Sequence, residues 1–394
     1  MSTGTSAKGS ATKRRFYTRA RSFLLGLLLL YGGIIVLMLT PFIQSRVLYA
    51  QHIYLFGNTK FDHPEYYGLA PGKTVNMNLR SLDNTTLGAW FIFSDSYYKS
   101  LPYPPPKAQS RNIPSAIHNK PTILFLHGNT GTRALSRRIA VYTAFTARLG
   151  ANVLAIDYRG FGDSEGHPSV HGVAMDARAG WNYLMSEGAR PEDVLIVGHS
   201  LGTAIAGLLA AELGKEGIHP RGLVLMSPFS SVRSLMDQYY LFGFLPLLKP
   251  ISAIPLAPRL VSWSLVHRFD TLDLVPHIKS SVLIVHAEDD WDIPHTHASI
   301  LFDAFIEPAV PLAPSLPENP LSEEDWKIYA VEKSVRATYR DARISRISVA
   351  GFGYLEEAEI DNRKVALLKT LHGGHDIGRV EGVQDVIGRT FSLP

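Results

Sequence analysis

The sequence predicts an α/β protein built on a mostly parallel sheet with helices on both faces, preceded by one hydrophobic N-terminal helix. Three observations lead there. Short apolar runs rich in β-branched residues alternate with helix-length segments between residues 122 and 227, the same strand type returns at 282–287 and 365–370, and an uncharged apolar run fills residues 23–43. Strands separated by helices of this length require right-handed crossovers, which yield parallel strands buried on both faces.

The N-terminal helix is the first element to justify. FLLGLLLLYGGIIVLMLTPFI, residues 23–43, carries no charge, and at 1.5 Å per residue it reaches about 31 Å, the thickness of a bilayer's hydrocarbon core. A cleaved signal peptide would have a shorter apolar core and a small-x-small exit, and neither QSR nor LYA supplies one. A mitochondrial presequence is suggested by the absence of acidic residues before Asp62, but the amphipathic period it needs is missing. Lys8, Lys13, Arg14, Arg15, Arg19 and Arg21 precede the run and only Arg46 follows closely. The positive-inside rule therefore makes residues 1–22 a basic cytosolic tail and 23–43 a single-pass anchor, with the remainder facing a lumen or the outside. Those six cations exceed the whole chain's net charge of +4, so the rest is slightly acidic and no nucleic-acid surface is implied.

An aromatic-rich stalk spans residues 44–70, and the α/β domain is expected over 71–394. Within it, TVNMNLRSLDNTTLGAWFIF reads as a strand pair turning at Asp83 and Asn84. The strands TILFLH, NVLAIDY, DVLIVGHS and GLVLMS then alternate with helical segments. Residues 231–275 break the alternation with a proline-interrupted apolar stretch and are expected to form a lid. Strand VLIVHA resumes the sheet. Pro308, Pro311, Pro314, Pro317 and Pro320 recur at period three, which places them along one edge of a polyproline II helix. They open an insertion expected over 307–363, after which VALLKT closes the sheet.

The chemistry is concentrated at strand ends. With 46% hydrophobic residues and no cysteine, the chain can build a large core but holds no disulfide, thiolate metal site or cysteine nucleophile. Ser200 lies in GHSLG, between the strand VLIV and a helical run beginning at Leu201. That context is a nucleophile elbow: the serine sits on a strained strand-to-helix turn, and the flanking glycines permit close packing. A serine hydroxyl needs a base, and the base an orienting carboxylate. Asp290 is the preferred acid, with Asp289 as the alternative; His375, after Gly373 and Gly374, is the preferred base, with His372 as the alternative. The backbone N–H groups of Leu201 and Asn129 are the candidate oxyanion donors.

Taken together, HGNTG, DYRGFGDSEG, GHSLG, HAEDDWDIP and HGGHD resemble the lipid-cleaving α/β-hydrolases, and most closely the membrane-anchored alpha/beta hydrolase domain-containing 12 type. The resemblance covers residues 20–305 and 364–394. It implies Ser200, Asp290 and His375 as a triad, and an endoplasmic-reticulum lipase for monoacylglycerol or lysophosphatidylserine. The insertion between Asp290 and His375 is longer than the family pattern.

A single-chain lipid is thus the expected substrate and the bilayer the expected partner, with no metal and no cofactor. Leu245, Leu247 and Leu248, in the apolar lid run 239–256, are the candidate acyl-binding residues. His295 and His297 read as an exposed helix start rather than a metal pair, His171 and Asp176 as helix surface, and Asp163 and Ser164 as turn builders. A serine peptidase or small-ester esterase would use the same triad, whereas a non-catalytic membrane adaptor would not need its complete set of groups.

Overall fold

The structure is a computed structural model, which describes residues 6–51, 59–238, 240–241, 245–246, 259 and 263–394. Helix α1 (Ser6–Met38) leads into α2 (Pro41–Tyr49). The apolar run expected as one helix over 23–43 is broken at its end, because Pro41 cannot donate a backbone hydrogen bond and pushes Thr40 into extended geometry, φ −80° and ψ 132°. Among the described residues one helix, Arg15–Met38, is long and apolar enough to cross a membrane.

Ten strands form one sheet: β1 (Thr74–Arg80), β2 (Thr86–Ile92), β3 (Thr122–Leu126), β4 (Asn152–Ile156), β5 (Val194–His199), β6 (Gly222–Met226), β7 (Val282–Ala287), β8 (Ser345–Val349), β9 (Gly353–Ile360) and β10 (Arg363–Thr370). Their spatial order is β1-β2-β4-β3-β5-β6-β7-β10-β9-β8. The six strands from β4 to β10 run parallel, while β1–β2 at one edge and β8–β9 at the other are antiparallel hairpins. The span 307–363 is therefore built into the sheet from Ser345 onward, and α7 (Glu323–Asp341), which buries none of its residues, precedes those strands.

Period-two alternation sorts each central strand between two cores. Ile123 and Phe125 of β3, with Leu195 and Val197 of β5, face the layer of α3 (Ser136–Arg148) and α8 (Glu381–Phe391). Leu124 and Leu126, with Val194 and Ile196, face α4 (Val170–Ser186), α5 (Leu201–Lys215) and α6 (Thr296–Ile306). Both faces are covered, so the strand ends are where polar chemistry can meet solvent.

Three polar readings are settled by burial. Asp176 is fully buried, not helix surface: its carboxylate accepts from the Arg159 amide at 2.8 Å and pairs with the Arg159 guanidinium at 2.8 Å, while His171 is exposed. A charge of that kind is tolerated in a core only when paired and hydrogen-bonded. His297 is likewise buried, its Nδ1 2.9 Å from the Ser230 hydroxyl, and His295 lies 3.3 Å from Lys369 Nζ. Ser164 does build the turn after β4, donating to the Asp157 carbonyl at 2.7 Å and accepting from the Gly88 amide. Asp163, by contrast, reaches away to Arg133 at 2.6 Å. Arg133 and Asp157 form a fully buried ion pair at 2.6 Å that also takes in His127 at 3.1 Å.

Candidate active site

Ser200 occupies a one-residue corner between β5 and α5 with φ 52° and ψ −122°, a conformation that costs a non-glycine residue of order 1–3 kcal/mol. The surroundings over-determine it. Its amide donates to the Met226 carbonyl at 2.9 Å, and its own carbonyl accepts from Thr203 N at 2.9 Å and Thr203 Oγ1 at 2.6 Å. Both flanking glycines are required by contact: a Cβ at Gly198 would stand 2.4 Å from the Gly202 carbonyl oxygen, and one at Gly202 would stand 2.0 Å from that of Leu126. A Cβ at Gly128 would come 3.0 Å from Ser200 Cβ, so the loop after β3 lies directly on the elbow.

The loops after β7 and β10 bring in the candidate acid and the candidate base. His375 Nδ1 is 2.9 Å from Asp290 Oδ2. The other Asp290 oxygen accepts from the amides of Asp292 at 2.9 Å and Ile293 at 3.0 Å, and His286 Nε2 lies 3.2 Å from Oδ2. Asp289 is turned to another task, accepting from the amides of Gly374 at 2.8 Å and Gly373 at 3.4 Å. Its carboxylate thereby fastens the glycine turn, where Gly373 has φ 142° and Gly374 φ 59°. His372 is mostly exposed, 3.7 Å from Asp289. The geometry thus couples Asp290 to His375 and leaves Asp289 and His372 on the turn. Among the described residues no hydrogen bond joins the Ser200 hydroxyl to His375; such bonds commonly close only around substrate.

The electrostatics follow the hydrogen bonds. Burial would raise the Asp290 carboxyl, but bonds from His286 and His375 and the charge of His375 hold it well below the usual carboxylate range. For His375 burial disfavours the imidazolium, yet the bond to Asp290 and the charges of Asp290, Asp292 and Asp376 outweigh it, and the proton is held above the usual histidine range. Among the described residues, Asp290, Asp292 and His375 also have donor atoms close enough to share a cation, within 4.8 Å. With His375 Nδ1 committed to Asp290, the arrangement favours proton transfer over metal binding.

Four contributors were not singled out from the sequence. His199 donates from Nε2 to the His375 carbonyl at 2.8 Å, and the Ser227 hydroxyl donates to the same oxygen at 3.0 Å, so the backbone of the base is pinned from two sides. Burial above all, helped by the nearby charge of His375, lowers His199 to about 3 and keeps it neutral. His286 backs Asp290. Arg138, fully buried, spends its guanidinium on the carbonyls of Gly128 (2.9 Å), Asn129 (3.0 Å), Thr130 (2.7 Å) and Thr132 (2.8 Å). One signal was available for it: Arg138 falls four and seven residues before Tyr142 and Phe145, on the apolar stripe of α3, where a charge needs a reason. With those carbonyls held, neither the Asn129 nor the Leu201 backbone N–H has an acceptor among the described residues. Of the expected acyl-binding residues, Leu245 lies in a two-residue strand paired with Tyr240–Leu241, and Leu247 and Leu248 lie outside the described residues.

A parallel sheet with a strained serine at one strand end, and an aspartate and histidine on later strand ends, is the architecture of an α/β hydrolase. The family model of the alpha/beta hydrolase fold matches residues 121–247. A crystal structure of an alpha-beta hydrolase from Vibrio vulnificus superposes with a TM-score of 0.51 at 18% identity, over 89% of this chain and 94% of that one. Among curated relatives, lysophosphatidylserine lipase ABHD12 of Danio rerio is 30% identical over 294 residues, 72% of each chain. The Bos taurus ABHD12 is 31% identical over 286 residues, 70% of this chain and 67% of its own. The chain belongs to this ABHD12 family of α/β hydrolases and is a hydrolase of the lipase type.

The Asp290–His375 coupling makes a direct spectroscopic prediction. By histidine-selective NMR, His375 titrates above the ordinary value of about 6.5; Asp290→Asn brings it down, and Asp289→Asn leaves it in place. Because the folded pKa is the higher one, the stabilisation from the charged pair is fully present below about pH 6.5 and disappears as pH rises through the His375 pKa. An unshifted His375 in Asp290→Asn contradicts the coupling.

Proposed function

We propose that this chain is a membrane-anchored serine hydrolase that cleaves the carboxylic ester of single-chain lipids through an acyl-enzyme. The observation that carries the reading is the meeting of three separate strand ends, with Ser200 held on a strained corner and a buried Asp290 carboxylate bonded to the half-buried imidazole of His375. Neutral His375 takes the Ser200 hydroxyl proton on Nε2 as Oγ attacks the ester carbonyl. The oxyanion is received by the N–H groups of Leu201 and Asn129. His375 then gives the proton to the departing alkoxide, the lysolipid headgroup or glycerol, leaving the fatty acyl group on Ser200. Water, deprotonated by the same imidazole, releases the fatty acid and restores the serine. Asp290 holds the imidazole in the tautomer that presents Nε2 and favours its charged form.

The substrate class is supported by two independent facts. Relatives at about 30% identity are named lysophosphatidylserine lipases, and the run Tyr239–Leu256 carries only Lys249 as a charge. Monoacylglycerol and lysophosphatidylserine are the substrates proposed, with Leu245, Leu247 and Leu248 walling the acyl chain. Residues 1–22 form a cytosolic tail, the apolar part of α1 from residue 23 to Met38 crosses the membrane, α2 and the segment up to residue 70 connect, and 71–394 form a lumenal catalytic domain of the endoplasmic reticulum or another endomembrane. The six cations before the apolar run support that orientation.

Ser200→Ala is expected to lower ester hydrolysis about 10⁴-fold or more and to abolish fluorophosphonate labelling with membrane association intact. Retained turnover removes Ser200 as the nucleophile. Replacing Leu245, Leu247 and Leu248 together by Ser should depress turnover of long-chain lysolipids far more than of a butyryl ester, since each buried methylene contributes about 0.8 kcal/mol. Equal loss on both substrates points to a structural role instead. For topology, Asn84 is exposed at the β1–β2 turn within the sequon Asn84-Thr85-Thr86. In microsomes it should carry a glycan, and the catalytic domain should resist protease until detergent is added. Digestion without detergent reverses the orientation.

A further inference from the structure

The short helix that follows the apolar N-terminal helix is joined to the candidate oxyanion loop. As with any helix, the last carbonyls of α2 have no partner within it, and Ala50 at its C-cap turns left-handed at φ 47°. Two of those carbonyls are taken by the loop after β3: Tyr49 O accepts from the Thr130 amide at 3.0 Å, and Leu48 O from Asn129 Nδ2 at 3.4 Å. Together with Arg138, which holds the carbonyls of the same loop, this grips residues 128–132 from both sides, donors by α2 and acceptors by α3.

The side chains of α2 grip a second segment. Gln44 is a buried amide on a helix whose Pro41, Phe42, Arg46 and Val47 are exposed; it donates from Nε2 to the Ser264 carbonyl at 3.0 Å and accepts from the Val266 amide at 3.0 Å, as a neighbouring strand would. Tyr49 is fully buried, its hydroxyl 3.3 Å from His267 Nδ1 and its ring edge-on to His267 at 5.1 Å and to Phe269 at 6.2 Å. Residues 264–269 are the end of the span read as a lid, and Arg268 O accepts from the Val232 amide at its start.

We propose that α2 is a positioning element of the active site, in which Gln44 and Tyr49 fix one helix against both the oxyanion loop and the lid terminus, so that the set of the N-terminal helix is transmitted to the Asn129 N–H. The inference rests on the reading of Asn129 as an oxyanion donor. It makes the juxtamembrane segment a working part of the hydrolase rather than a slack tether, and it names Gln44 and Tyr49 as positioning residues. Neither touches the reacting atoms. Their effect reaches turnover through the loop that α2 holds.

The test uses the full chain in detergent micelles with Gln44→Met, Tyr49→Phe and the double variant; both substitutions keep side-chain bulk and remove hydrogen bonds. Active sites are counted by fluorophosphonate titration, so that turnover of a short soluble ester is read per competent molecule. In the double variant, turnover per site is expected to fall about 10-fold or more with KM within about twofold, because a small misplacement of an oxyanion donor acts on the transition state. Hydrogen exchange should quicken in peptides covering 128–132 and 264–269 and stay slow in β5. Unchanged turnover per site together with quickened exchange at 128–132 overturns the coupling, as does unchanged exchange there. Should the double variant unfold, which would quicken β5 as well, Tyr49→Phe alone is judged by the same two readouts. Ser200→Ala run alongside separates the two ideas: turnover surviving in Ser200→Ala refutes the nucleophile, while the exchange readout judges the α2 grip independently of the chemistry.

Discussion

Three backbone segments approach within van der Waals distance at Gly128, Gly198 and Gly202, and the candidate site depends on that approach. No side chain fits there: a Cβ at Gly202 would sit 2.0 Å from the Leu126 carbonyl oxygen, and one at Gly198 2.4 Å from that of Gly202. The contact brings the end of β3 onto the β5–α5 corner, so the loop that carries Asn129 meets the corner that carries Ser200 and Leu201. Strain at the corner, of order 1–3 kcal/mol, is stored because the parallel strands on both sides are buried and cannot relax.

Around that contact, buried charge acts as a template for loops. Arg133 is held by Asp157 and Asp163 and stacks 3.9 Å from the Phe61 ring; Arg159 ties Asp176 in α4 to Asp83 in the β1–β2 turn. Arg138 is different, since its four acceptors are backbone carbonyls and among the described residues no carboxylate pairs with it. A buried guanidinium without a carboxylate is costly unless every donor is used, so the site rewards a loop that turns its carbonyls inward. The same loop gives its Thr130 amide to α2, while the Asn129 amide, the proposed oxyanion donor, has no acceptor among the described residues.

The candidate base is governed by comparable logic at longer range. His375 takes its charge state from Asp290 and its backbone position from His199 and Ser227, groups on β5, after β6 and after β7. Because these come from different strands, moving any one strand end displaces the imidazole relative to Ser200. The wide, doubly covered sheet keeps those ends in register.

Periodicity and local motifs made much of this legible in the sequence. Alternating strand and helix runs identified the parallel sheet, the elbow glycines marked Ser200, and the strand-end rule pointed to the loops holding Asp290 and His375, because these are local patterns dictated by backbone geometry. The sequence preferred Asp290 to Asp289 and His375 to His372 but left both alternatives open, since neighbouring residues share a spacing argument and differ in which direction the folded turn aims them. It likewise read Asp176 and His297 as surface, because burial of a charge or imidazole depends on partners, Arg159 and Ser230, that are distant in sequence. Arg138, His199 and Gln44 stayed hidden for the same reason: each acts on backbone atoms of another segment, and backbone carries no sequence signature. Sequence by itself determined the fold class, the apolar N-terminal helix and the residue types available for chemistry; tertiary structure decided which of them meet, because a hydrogen bond is fixed by distance and direction that only the packed sheet supplies.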